Sequence, residues 1–150
     1  MKSGQIYRKF QAKNGKEIIL RSIRWEDLPS LVELADSLVE DREVEPNFGI
    51  LLDKKQTLET EADYLGGWIA AIEKGEQVRV IAEADGRIVG NSEVARGKQS
   101  DEFYHGKLGI AIRREYRDLG IGLEMIKTLI EESRKLGLKT IELESFASNP

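Results

Sequence analysis

Leu108-Gly109-Ile110-Ala111-Ile112, followed after four residues by Arg117-Asp118-Leu119-Gly120-Ile121-Gly122, is the stretch that decides the fold. An apolar run of strand character passes through a glycine-rich turn into a helix-period segment, where Ile126, Leu129, Ile130, Ser133 and Leu136 share one face. The first N–H groups of a helix lack intrahelical partners and sit at the positive end of its dipole, so such a turn is an anion site. Gly120 and Gly122 let a phosphate approach the backbone without a Cβ in the way. Arg117 adds a guanidinium suited to phosphate oxygens. A nucleoside-triphosphate loop requires Lys and Ser or Thr after the last glycine, but Leu123-Glu124 stand there. A dinucleotide fingerprint needs a small residue where Met125 stands, and it falls early in a strand–helix–strand unit rather than late. The loop alone leaves two readings: another phosphate-bearing ligand, or a turn with no ligand.

Working outward, Glu17–Ile23 reads as a first strand. A helix begins in Trp25-Glu26-Asp27-Leu28-Pro29 and carries Leu28, Leu31, Val32, Ala35, Leu38 and Val39 on its stripe. Asp41–Gly49, charged and holding Pro46, reads as a loop. A second helix is expected from about Leu58 to Lys74, with Gly66-Gly67 permitting a bend or a close contact and Gly75 ending it. Gln77–Ala84 and Arg87–Val94 form strands joined by Asp85-Gly86, a strong hairpin signal. Phe103–Ile112 is the next strand, and Thr140–Phe146 the last, after the loop helix capped by Gly137. The order is β-α-α-β-β-β-α-β, with residues 1–16 either an arm or a short extra strand. An antiparallel meander followed by one crossover makes 108–112 and 140–146 parallel neighbours. The fold class is therefore α+β, a three-layer arrangement around a mixed, mostly antiparallel sheet.

The length of 150 residues fits one domain over 1–150. A net charge of −4 gives no footprint for nucleic acid. With no cysteine and the single histidine His105, disulfides, thiolate nucleophiles and thiolate or histidine-cluster metal sites are excluded, and no metal is expected. No apolar run approaches the roughly 20 residues that span a bilayer, and the polar N-terminus carries no leader pattern. A cytoplasmic protein is expected, without a membrane partner.

The element order and the Arg117–Gly122 loop together resemble the GCN5-related N-acetyltransferases (GNAT). Three local matches add to this: Arg21-Ser22-Ile23 with Glu26-Asp27-Leu28, Asp85–Gly90, and Leu143-Glu144 followed by Ser148-Asn149. The resemblance implies the acyl-CoA N-acyltransferase fold, with the parallel pair splayed, and acetyl-CoA as co-substrate. It implies that Arg117, Asp118, Leu119, Gly120, Ile121 and Gly122 cradle the pyrophosphate. Backbone groups of Ile110, Ala111 and Ile112 would bind the pantetheine arm, with one N–H facing the thioester oxygen. Asn149 would contact the coenzyme. Arg113 and Arg114 are candidates for further phosphate contacts, and Asp118 is expected to face solvent and cap the helix start. In the family a helix bearing a proton-donating Tyr and two more strands follow the asparagine, whereas this sequence stops at Pro150. The expectation is that further chain, or a second copy in a homodimer, completes the fold. Tyr104 and Tyr116 do not occupy the donor's position.

Acetyl transfer to an amine needs a base, because an ammonium has no lone pair and a Lys-type amine titrates near ~10.4. Glu144 ranks first, in a position resembling the glutamate of ribosomal-protein N-terminal acetyltransferases. Glu93 ranks second, then Glu102, with His105 below Glu93. Trp25, Trp68, Phe48 and Tyr64 are candidates to shape an acceptor pocket or to pack the core. The reading is an N-acetyltransferase acting by direct attack in a ternary complex on a primary amine, either a small molecule or a peptide N-terminus. A non-catalytic acyl-CoA-binding module is the alternative; it shares the loop and lacks the base.

Overall fold

The computed structural model describes residues 4–44 and 57–143. Its elements are β1 (Ile6–Gln11), β2 (Glu17–Arg21), α1 (Leu28–Val44), α2 (Leu58–Glu73), β3 (Gln77–Ala84), β4 (Arg87–Arg96), β5 (His105–Ile112), α3 (Ile121–Lys135) and β6 (Thr140–Leu143). Six strands form one sheet in the order β1-β2-β3-β4-β5-β6. All neighbours are antiparallel except β5 and β6, which run parallel from His105↔Thr140 to Leu108↔Leu143. The fold class expected from the sequence is the one observed. Of the two readings of residues 1–16, the extra strand is correct. Ala12 N–H donates to the Lys16 carbonyl at 2.9 Å and closes the β1–β2 hairpin.

The sheet is covered on both faces, which is why β3 reads as a nearly unbroken apolar run. Val78, Val80, Ala82 and Ala84 join Ile18, Leu20, Val89, Val94 and Leu108 in the core under Met125 and Leu129 of α3. Ile81 points the other way and meets Ile23, Ile88, Leu31, Leu34, Leu38 and Leu65 beneath α1 and α2. Strand alternation separates the two sets. The parallel connection from β5 to β6 through α3 matches the crossover expected from sequence.

Two local differences from the sequence reading have simple causes. α1 continues to Val44, past the loop start expected at Asp41. Charged straight-chain residues tolerate a helix, and the sequence offers no breaker before Pro46. Gly66 in α2 marks a close contact: a Cβ there would stand 3.3 Å from Cη2 of Trp25.

Gly106 of β5 is the tightest point between the sheet and the segment after α3. A Cβ would fall 2.5 Å from Val94 Cγ1 and 3.0 Å from Leu138 Cδ1. Gly106→Ala is expected to cost about 1–3 kcal/mol by overpacking. The check is a lower urea midpoint at unchanged m.

The start of α1 is tied to the sheet by a buried ion pair. Arg21 on β2 donates from Nη1 to Asp27 Oδ2 at 2.9 Å and from Nη2 to Asp27 Oδ1 at 2.7 Å. Its Nη2 also reaches Glu83 Oε1 on β3 at 3.0 Å. Asp27 Oδ2 accepts the Arg24 backbone N–H at 2.9 Å, so one carboxylate fixes both the arginine and the turn leading into α1.

Candidate active site

β5 ends in a shaped turn. A single 3-10 turn, Arg114–Tyr116, leads to Arg117 in extended conformation, then Asp118 at φ 61° and Gly120 at φ 86° as the residue before α3. Two left-handed positions so close together reverse the chain and aim the α3 axis back along the sheet. Arg117 Nε donates to the Ile112 carbonyl at 2.9 Å, pinning the turn to the end of β5. The Tyr116 hydroxyl donates to Asp85 at 3.2 Å. The backbone N–H groups of Ile121, Gly122 and Leu123, in the first turn of α3, lie outside the intrahelical ladder.

Asp118 is exposed, as expected, but it does not cap the helix. Gly120 occupies the N-cap without a side-chain hydrogen bond, because the left-handed residue at 118 is two positions too early. The glycines also divide the labour differently from the sequence reading. Gly122 lacks a Cβ because one would stand 3.2 Å from Ile112 Cδ1, so this glycine serves the packing of α3 on β5. Gly120 supplies the left-handed turn. Its open side faces Lys13 of the β1–β2 hairpin, whose Cε lies 4.0 Å from where a Gly120 Cβ would be. The Lys13 N–H donates to the Leu119 carbonyl at 3.2 Å. Lys13 thus adds a cation beside the turn that the sequence reading missed, because residues 1–16 carry little periodicity. Arg113 is committed elsewhere, pairing with Glu33 at 2.7 Å and Glu115 at 3.0 Å.

On the α1–α2 face, a cleft of about 560 Å³ opens over the C-terminal half of β5. Gly109, Ile110 and Ala111 form its floor beside Asn91 and Glu93 of β4 and Arg79 of β3, and Leu31, Leu34 and Leu38 of α1 line its apolar wall. Strand register explains the grouping. Arg79, Glu93 and Gly109 stand in one cross-strand row, and Ile81, Asn91 and Ala111 in the next row on the same face. A Cβ on Gly109 would lie 2.9 Å from Glu93 Oε1, so the glycine makes room for that carboxylate.

Arg79 is the electrostatic centre of the cleft and is 2% exposed. Its Nη2 meets Glu93 Oε2 at 3.1 Å, Nη1 donates to Asn91 Oδ1 at 2.7 Å, and Nε donates to Gln77 Oε1 at 2.9 Å. The guanidinium also stacks 3.8 Å from the centroid of the Trp68 ring, which is itself stacked with Tyr64. Burial pushes the guanidinium down to about 10, against the pull of Glu93 and Glu61, so it stays charged at neutral pH. Glu61 in the first turn of α2 lines the same cleft and is 4% exposed. Burial raises its carboxyl to about 7; Arg79 opposes the rise and Asp36 adds to it.

The residues singled out from sequence fall into three groups. Glu93, Ile110, Ala111, Trp68 and Tyr64 lie on the cleft. Ile112 and Arg117–Gly122 form the neighbouring turn. His105 and Glu102 lie elsewhere. His105 opens β5, roughly 17 Å of extended strand before Ile110. It contacts Thr140 at 2.6 Å and Glu142 at 3.2 Å. Glu102 belongs to the turn before β5. Trp25 is more than half exposed and lies against Gly66 rather than in the cleft. Glu144, Asn149 and Phe48 lie outside the described residues. Glu61 and Arg79 escaped the sequence reading. Glu61 sits with Glu59 at the helix start as a solvated acidic turn would, and Arg79 interrupts an apolar strand with no flanking motif.

A mixed sheet of this order, with a helix N-terminus at the end of its parallel-paired strand, is the architecture of the acyl-CoA N-acyltransferase fold. The chain belongs to the acetyltransferase (GNAT) family, whose family model matches residues 31–150. Solved structures share the fold. The ribosomal-protein-alanine N-acetyltransferase of Brucella melitensis is 23% identical, with 87% of this chain and 75% of that one covered at a TM-score of 0.71. The GNAT domain of S. lividans PAT is 12% identical, with 95% and 80% covered at 0.77. The Salmonella typhimurium protein yncA, solved with its cofactor acetyl-CoA, is 16% identical, with 84% and 68% covered at 0.66.

Proposed function

We propose that the protein transfers the acetyl group of acetyl-CoA to a primary amine by direct attack in a ternary complex. One observation carries this reading: a single strand, β5, floors the cleft with Gly109–Ala111 and, a few residues later, enters the glycine turn before α3. The two ends of a long coenzyme, thioester and pyrophosphate, thus have adjacent stations along one strand.

The first-turn N–H groups of α3, with Arg117 and Lys13, would hold the pyrophosphate. Backbone groups of Ile110, Ala111 and Ile112 would hold the pantetheine arm and polarise the thioester carbonyl. A carboxylate on the acceptor side would take the proton from the amine. Glu93, held over Gly109, and Glu144, next in sequence after Leu143, are the candidates that the sequence singles out. With no cysteine in the chain, the commonest acyl-enzyme route is closed. The acceptor remains a small amine or a peptide N-terminus.

The test is a thermal-shift titration with acetyl-CoA, desulfo-CoA and adenosine diphosphate, alongside free-thiol release over a panel of amines. Acetyl-CoA at a hundred times its Kd should stabilise the wild type by about 2.7 kcal/mol. Arg117→Ala should weaken binding roughly tenfold or more, about 1.4 kcal/mol, with Arg117→Lys intermediate. Equal shifts in wild type and Arg117→Ala would sink the loop assignment. Acetyl-CoA binding with no thiol release from any amine would favour the non-catalytic module.

A further inference from the structure

Glu61 is a buried carboxylate with no described side-chain hydrogen bond, facing a cleft large enough for a ligand. Burying an ionisable group without a hydrogen-bonding partner is costly, so such a group is either neutral or waiting for one. Among the described residues, one guanidinium lines the cleft, and each of its nitrogens is already engaged: Nε by Gln77, Nη1 by Asn91 and Nη2 by Glu93. Among the described residues the cleft therefore holds two carboxylates against one cation, and that cation is already paired with Glu93, so the remaining electrostatic demand is for positive charge. Apart from Asn91, the rest of its lining is aliphatic side chain, aromatic ring and the β5 strand.

We propose that Glu61 binds the ammonium group of the acceptor and receives its proton, and that the acceptor is a cationic amine with an apolar body and no carboxylate beside the nitrogen. The proposal rests on the amine-acetyltransferase reading and deepens it. Leu31, Leu34 and Leu38 take the apolar body. A carboxylate adjacent to the amine would meet the like charge of Glu61 and Glu93, with the Arg79 guanidinium already paired to Glu93. In the reaction, one N–H bond of the ammonium breaks and its proton passes to a Glu61 oxygen. The freed lone pair forms the N–C bond with the thioester carbonyl, and the C–S bond then breaks. Sulfur leaves with the electron pair and is protonated by the second proton that nitrogen sheds, and Glu61 returns its own proton to solvent. The charged groups that face Glu61 are Arg79 from β3, Glu93 from β4 and Asp36 from α1. The carboxyl at about 7 suits a base that cycles near neutral pH.

The experiment is binding and turnover with the full chain. Phenethylammonium is titrated by calorimetry at pH 8 and pH 5.5 into wild type, Glu61→Gln and Glu61→Asp, with phenylalanine as the carboxylate-bearing control. Wild type should bind phenethylammonium at pH 8 at least roughly tenfold more tightly than Glu61→Gln does. It should lose that margin at pH 5.5, with Glu61→Asp intermediate and phenylalanine binding at least tenfold more weakly. In turnover, the acidic limb of kcat/KM near pH 7 should vanish in Glu61→Gln. Equal amine binding by wild type and Glu61→Gln, or an unchanged acidic limb, would overturn the proposal. The amine titration needs no acetyl-CoA, so a failure of coenzyme binding would overturn the enzyme reading and leave the Glu61 result standing on its own.

Discussion

Glu61→Gln is expected to make the folded chain more stable at pH 8 by about 3–4 kcal/mol. Glu61 has a carboxyl near 7 in the folded state, raised first by burial, against an unfolded value near ~4.3. A carboxyl raised on folding contributes stability that is complete below the unfolded value and is lost as pH rises through the folded one. Between roughly pH 4.5 and 7 the folded chain holds a proton that the unfolded chain has released, so stability falls with rising pH across that window. A tenfold difference in proton affinity between the folded and unfolded chains corresponds to about 1.4 kcal/mol. Gln has the shape of the neutral acid and carries no charge to desolvate, so the variant should not show this loss. Urea unfolding at pH 5 and pH 8 checks it: wild type should weaken over this interval and Glu61→Gln should stay flat. Parallel pH dependences in the two proteins would refute the burial of a titrating carboxyl. A residue whose charged form destabilises the fold while facing a cleft is the pattern left when stability is traded for chemistry.

Asp27→Ala is expected to cost about 3 kcal/mol of stability. Both partners of the Arg21–Asp27 pair are 5% exposed at the side chain, and the contact is bidentate. Breaking a buried pair from one side typically costs about 3–5 kcal/mol, because the remaining charge is stranded. Glu83 also contacts Arg21 and would still partner it, which keeps the cost at the low end. Loss of the bond from the Arg24 N–H loosens the start of α1. At a typical urea m of about 1–3 kcal/mol/M, the midpoint should fall by one molar or more. The double change Arg21→Met with Asp27→Leu should recover part of the loss, since an apolar pair can replace a buried ion pair. A midpoint for Asp27→Ala within error of wild type would contradict the pairing. Since this pair fixes the start of α1, which walls the cleft, the variant should also weaken amine binding wherever it remains folded.

The architecture was largely legible because it rests on short-range signals. Asp85-Gly86 marked the β3–β4 hairpin, and the structure shows both residues at positive φ, 53° and 78°. The stripe of α2 and Gly75 after it set that helix within a residue of its observed limits, and Gly137 marked the end of α3. β1 was harder to read, because Ile6-Tyr7-Arg8-Lys9-Phe10-Gln11 is an edge strand with little alternation to expose it. The end of α1 was misplaced because charge alone does not stop a helix.

The strand–turn–helix at 108–122, the parallel return to 140–143 and the likeness to the acetyltransferases were all readable along the chain, because each depends on residues near one another in sequence. What stands in the cleft depends on packing between distant segments. Arg79, Glu93 and Gly109 are brought into one row by pairing three strands, and Glu61 is buried over them because α2 lies across that row. A glutamate in the first turn of a helix looks the same in sequence whether water or a guanidinium lies beneath it. Burial and charge partners are properties of residues distant in sequence, and they turn an ordinary acidic turn into a titrating group.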